Sequence, residues 1–145
     1  MCQFCGADEM ITHLFFAYPL ARYIWNVASC AFGFRNKPRS IKHMLGAWIR
    51  SFSKTDKKLI TVGVAAIVWA IWKTRNNACF RHIRPSDPVA VTNIIGHMIS
   101  SWSILQDTEE KRNALIWGVK LFMRLSSETF DAAKGWRPTM LRLTG

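Results

Sequence analysis

The stretch LITVGVAAIVWAIW, from Leu59 to Trp72, constrains the fold of this chain more than any other segment. Its fourteen residues are nearly all apolar, whereas a helix that crosses a membrane needs about 18 to 20 such residues. Lysine or arginine stands on both sides of it. The stretch therefore predicts a helix buried in a protein core, with Trp69 and Trp72 among the core residues. Membrane contact through residues 59–72, by insertion or by association with an anionic bilayer, is the alternative.

Apolar residues recur at helical spacing along almost the whole chain. Helix breaks are expected near Gly33, where residues 33–40 have the composition of a loop, and after Phe80. Residues able to cap or begin a helix stand before the apolar runs: Pro19, Ser40, Thr55 or Asp56, Asp87 with Pro88, and Asp107 or Thr108. No segment reads convincingly as a strand. The predicted fold class is all-α, a small domain of about five helices.

The net charge is strongly positive. The 145 residues contain 20 Lys and Arg against 9 Asp and Glu, which gives +11. Between Arg22 and Arg84 thirteen basic residues stand against one acid, Asp56. Such a field attracts polyanions, whether nucleic acid, anionic lipid or an acidic protein. The alternative, of nearly equal weight, is a solvated basic face with no specific partner.

The N-terminal stretch CQFCGADEMITHLFFAY, residues 2–18, has the spacing of a zinc site. Structural zinc takes four ligands, mostly thiolate and imidazole, and Cys2, Cys5 and His13 would supply three. Tyr18 stands where the fourth is expected, and a neutral phenol is a poor zinc ligand. Water, Asp8 or a distant Cys or His could complete the site. The spacing predicts a degenerate zinc knuckle, in which zinc is a possible cofactor.

The other cysteines and the N-terminal residues indicate the cellular compartment that is expected for the protein. Cys30 and Cys79 lie in apolar surroundings and are predicted to be buried thiols. Asp8 and Glu9 interrupt the region where the basic start and apolar core of a signal peptide would lie. A reducing compartment, nuclear or cytoplasmic, is therefore the default expectation.

The stretch CQFCGADEMITHLFFAYPLARYIW resembles the zinc-binding domain at the C-terminal end of plant non-LTR (LINE-type) retrotransposon reverse transcriptases. That family reads Cys-x2-Cys-Gly, acidic residues ending in Glu-Thr or Glu-Ser, then His-Leu-Phe-Phe-x-Cys-Pro-x-Ala-x-x-x-Trp. Met10 and Tyr18 depart from the pattern, and the positions that match it are Cys2, Cys5, Gly6, Glu9, His13, Leu14, Phe15, Phe16, Pro19, Ala21 and Trp25. The resemblance implies a degenerate knuckle over residues 1–25. A basic helical domain, packed with the knuckle as one unit, is predicted over residues 26–145 from the helical spacing and the charge.

A second segment strengthens this resemblance. VWAIWKTRNNACF, from Val68 to Phe80, is similar to the Trp-x-x-Trp-Lys-x-Arg-Asn-x-x-x-Phe segment that follows the knuckle in these plant proteins. In such elements the C-terminal knuckle is thought to help the polyprotein hold its RNA or target DNA. The resemblance therefore implies a retrotransposon-derived domain that binds nucleic acid. The basic residues considered first are Arg35, Lys37, Arg39, Lys73, Arg75, Arg81 and Arg84.

A second function remains open, that of a repurposed protein-interaction module. Apolar residues spaced by 4, 3, 4 and 3 form a seam for core packing, for self-association or for a partner protein: Val91, Ile95, Met98, Trp102 and Leu105. A regulatory or toxic role in the host cell is the function expected of such a module, or of one that contacts membranes. The chain shows no nucleophile–base pair and no phosphate-binding Gly loop, so neither an enzyme nor a small-molecule substrate is expected.

Overall fold

The structure, a computed structural model, describes residues 13–17, 19–84 and 87–132, without the side chains of residues 130–132. These residues form helices and contain no strand, which confirms the all-α prediction. Short π-helical turns cover His13–Ala17 and Met44–Trp48, and a 3-10 turn covers Ser103–Leu105. The α-helices are α1 (Pro19–Phe32), α2 (Ile41–His43), α3 (Lys54–Phe80), α4 (Pro88–Trp102) and α5 (Glu109–Ala132).

Side-chain caps fix where several helices begin. Ser40 accepts a hydrogen bond from the backbone N–H of His43 at 3.0 Å, and Asp87 caps α4 just before Pro88, as predicted. The prediction for α3 was wrong, because the capping hydroxyl belongs to Ser53, which accepts from the N–H of Asp56 at 3.1 Å. The two residues expected to cap α3 therefore lie inside its first turn.

The long helices pack side by side in an order that differs from their order in the chain. α5 contacts both α1 and α4, and α4 contacts both α5 and α3. The core between them contains Trp25, whose indole N–H donates to the carbonyl of Phe15 at 2.8 Å. A buried hydroxyl network joins three helices, since Ser126 on α5 bonds both Tyr23 on α1 and Thr92 on α4.

Helix α3 differs most from its prediction. It packs against α4 and the turn His13–Ala17, which cover one of its faces. The opposite face is open, so Trp69 is 48% exposed and Trp72 is 44% exposed. The prediction that both indoles belong to the core was therefore wrong. The burial predicted for residues 59–72 applies to one face of the helix.

Two further sequence predictions can be compared with the described helices. Cys30 is exposed and Cys79 is partly exposed, so the prediction of two buried thiols was wrong. Both residues lie on helices where the core-facing positions are held by other residues. Within the part of the chain that the structure describes, no helix has the length and apolarity needed to cross a bilayer.

Candidate nucleic-acid interface

The open face of α3 carries an aromatic stripe, which we define as Trp69, Trp72 and Phe80. At about 100° per residue these positions fall on one side of the helix, opposite the buried side that includes Ala70 and Thr74. The rings of Trp69 and Trp72 stack with centroids 5.2 Å apart and an angle of 29° between their planes. Phe80 is exposed about two turns beyond Trp72. The stripe therefore presents flat aromatic surface to solvent.

Cations surround this stripe, and we call Lys73, Arg75, Arg81 and Arg84 the α3 cluster. Lys73 is exposed and follows Trp69 by one helical turn. The guanidinium of Arg75 lies over the Phe80 ring, 5.8 Å from its centroid, and donates a hydrogen bond to the side chain of Asn76 at 3.0 Å. No acidic residue occurs from residue 57 to residue 84. The charged residues along this part of the chain are therefore all basic.

A left-handed residue places the last two members of the cluster. His82 has φ +55°, and the backbone N–H groups of Arg81 and Ile83 both donate to the carbonyl of Asn77. This bend ends α3 and leaves the side chains of Arg81 and Arg84 exposed near its C-terminus. The simplest role for such cations is to offset the negative end of the helix dipole. An anionic ligand would use the same positions.

The loop after α1 carries a second basic group, the loop cluster of Arg35, Lys37 and Arg39. The Lys37 ammonium donates to the side-chain oxygen of Asn26 at 2.9 Å, which ties the loop to α1. Arg35 and Arg39 are exposed and, with His43, line a cleft of about 470 Å³ whose described lining contains no acid. The cleft therefore has the charge to attract an anion.

The structure does not gather the seven predicted cations into one patch. The Phe34 ring, next to the loop cluster, packs 5.7 Å from Phe52, just before α3 begins. Lys73 lies nineteen residues after Lys54, about 29 Å along the helix at 1.5 Å per residue. The two clusters therefore lie toward opposite ends of α3.

The predicted seam on α4 is divided between the core and the surface. Val91 and Ile95 are fully buried against the chain's own helices, while Met98 and Trp102 are partly buried. Leu105 lies beyond the end of α4 and is 77% exposed. Of the seam, its C-terminal end alone offers a largely open side chain to a partner.

The zinc prediction falls mainly outside the described residues, because these exclude Cys2, Cys5 and Tyr18. His13 begins the first π-helical turn and is partly exposed. The described residues contain no group of three His, Cys, Asp or Glu side chains able to hold a metal ion. Zinc binding stays a prediction from the N-terminal spacing.

The sequence favoured core packing for Trp69 and Trp72 over base stacking at a surface, so the aromatic stripe was not predicted. A signal for it exists, because aromatic residues and Lys73 recur on one side of α3 while Ala and Ile occupy the other. Comparison with known proteins finds no matching family model, no matching curated protein and no matching solved structure. The resemblance to the retrotransposon domain stays a prediction.

Proposed function

We propose that this chain is a non-catalytic, retrotransposon-derived domain that binds nucleic acid through its basic surface. The α3 cluster is the primary contact, and the loop cluster is a second one. In this proposal the lysine and arginine side chains neutralise phosphates and release condensed counterions, which drives binding with little dependence on base sequence.

The observation that carries the proposal is the composition of α3 on its open side. Four cations lie within twelve residues, beside exposed aromatic rings and with no acid from residue 57 to residue 84. A merely solvated helix face would more often alternate charges of both signs.

Salt dependence tests this proposal. Fluorescence anisotropy of a labelled RNA or DNA oligonucleotide should show affinity that falls steeply between about 50 and 200 mM salt. The double variant Lys73→Ala/Arg81→Ala should bind more weakly, with the slope of log affinity against log salt reduced by about 1.4 to 1.8. Lys120→Ala removes an exposed cation from α5 and is the matched control. Affinity that does not respond to salt would overturn the proposal.

A second candidate function, protein interaction, is favoured by the 3-10 turn after α4. Ile104 and Leu105 are 74% and 77% exposed, an unusual state for two adjacent large aliphatic residues. Self-association through this turn would make the molecular mass in multi-angle light scattering rise with concentration. Leu105→Ser should then restore a monomer. A wild-type monomer at every concentration would exclude self-association as the role of this turn.

A further inference from the structure

We propose that the aromatic stripe makes this surface selective for single-stranded nucleic acid, whose unpaired bases stack on Trp69 and Trp72. The inference rests on the proposed function and names its ligand class. It treats the two indoles as a binding platform flanked by phosphate contacts from Lys73 and Arg75.

The exposure of the two indoles is the first observation that supports a stacking platform. Trp is highly buried on average, yet here two tryptophans one turn apart are each nearly half exposed. Their mutual stacking at 5.2 Å restrains both rings, so little side-chain entropy remains to be lost when a base adds to the stack. The outer faces of the pair therefore form a restrained aromatic platform.

The chemistry of the platform distinguishes single strands from duplexes. In a duplex the base faces are already stacked on their neighbours, and a protein reaches only base edges and phosphates. The flat π surface of an indole can stack on an exposed base face. Its single N–H donor distinguishes base edges poorly. Trp69 and Trp72 therefore add affinity chiefly where bases are unpaired.

Charge determines what occupies this aromatic face. An apolar helix face can also cover a protein or dip into a membrane. The cations that flank the stripe favour an anionic occupant, and the flat faces of the stacked indoles favour one that carries planar bases. Arg75 lies over Phe80, an arrangement in which guanidinium and ring can together stack on a base. From Trp69 to Phe80 the stripe extends about 16 Å along α3, long enough for a short run of nucleotides.

Three matched ligands test the inference: an oligothymidine strand of about twelve nucleotides, a strand of the same length with an abasic site at every position, and a duplex of equal length. The abasic strand keeps every phosphate and lacks the stacking faces. Wild type should bind the intact strand roughly 5- to 100-fold more tightly than the abasic strand, the range expected when one or more stacked bases are lost.

The variant Trp69→Ala/Trp72→Ala should lose that preference while its affinity for the abasic strand stays unchanged. Trp117→Ala is the control, since Trp117 on α5 is 71% exposed and outside the stripe. The more conservative Trp72→Phe keeps an aromatic face and should retain most of the preference. Circular dichroism and thermal melting confirm that each variant is folded.

The outcomes separate this inference from the broader proposal. If all three ligands bind alike with steep salt dependence, nucleic-acid binding stands and the stacking inference falls. If none binds, both fall. Vesicles that contain phosphatidylserine give the remaining outcome. If the wild type binds them, and the double tryptophan variant loses this binding but keeps its affinity for the intact strand, the stripe is a membrane contact. The inference is then overturned.

Discussion

At the scale of single residues, His82 and Gly33 form an informative pair. Each has a left-handed backbone near a helix C-terminus, with φ +55° at His82 and +73° at Gly33. This conformation costs a residue with a Cβ about 1 to 2 kcal/mol, while glycine loses about 0.5 to 1 kcal/mol more entropy on folding. His82→Gly should therefore raise the free energy of unfolding by about 0.5 to 1 kcal/mol, and Gly33→Ala should lower it similarly. Urea denaturation measures the change in unfolding free energy of both variants. Changes of the same sign would contradict the assignment of a left-handed backbone to both residues.

The phenol of Tyr23 predicts a change of stability at alkaline pH. Burial raises its pKa, the Asp87 carboxylate raises it further, and the hydrogen bond with Ser126 acts in the opposite direction. The unfolded phenol loses its proton near pH 10, where the folded one keeps it, so this group's contribution is present below about pH 10 and is lost as pH rises further.

The variant Tyr23→Phe isolates this effect from lysine titration in the same range. It should unfold more easily at pH 7, by about 1 kcal/mol, because the hydrogen bonds to Ser126 are lost. Urea unfolding at several pH values should show this difference shrinking above pH 10. A difference independent of pH would mean that the phenol ionises alike in both states.

The identity of residue 18 predicts how much zinc the protein binds. With Tyr in place of the fourth ligand, purified protein should hold well under one zinc per chain, whereas Tyr18→Cys should bind about one. Elemental analysis measures both, and a chelator should lower the melting temperature of the variant alone. One tightly held zinc in the wild type would show that another ligand completes the site.

At the scale of elements, the start of α3 gives a direct test. Ser53→Ala removes the cap and should lower the free energy of unfolding by about 1 kcal/mol. Thr55→Ala, two residues later, is the matched control and should change it by less than about 0.5 kcal/mol, because Thr55 is exposed in the first turn. Chemical denaturation compares them, and equal losses would place the cap elsewhere.

Local chemistry made several helix boundaries predictable, and packing made one helix face unpredictable. Asp87 with Pro88, Ser40 and Gly33 each act within a few residues of their own positions, and each prediction agrees with the structure. The side of α3 that faces solvent depends on which helices pack against it. Because residues 59–72 are apolar on every side, hydrophobicity alone does not indicate their core face. The signal that remains is the separation of the aromatic residues and Lys73 from Ala and Ile.

At the scale of the whole molecule, the positive charge of the candidate surface was predictable from the sequence. The positions of its cations relative to one another were not. The basic excess and the seven candidate cations follow from composition and from the resemblance. Their division between the two ends of α3 follows from chain geometry, since the loop cluster packs where that helix begins. Likewise, Val91 and Ile95 read as a seam, but whether a seam meets its own chain or a partner depends on the other helices.

The hydrogen bond between Tyr23 and Ser126 also has a consequence for how the chain assembles. It joins residues 103 positions apart, whereas α3 contacts α4 and α4 contacts α5, in each case the next α-helix along the chain. Closing so long a loop costs more entropy than forming adjacent helical hairpins. We therefore expect α3–α5 to associate early and α1 to dock late. In native-state hydrogen exchange, the amides of α1 should open at lower free energy than those at the α4–α5 contact.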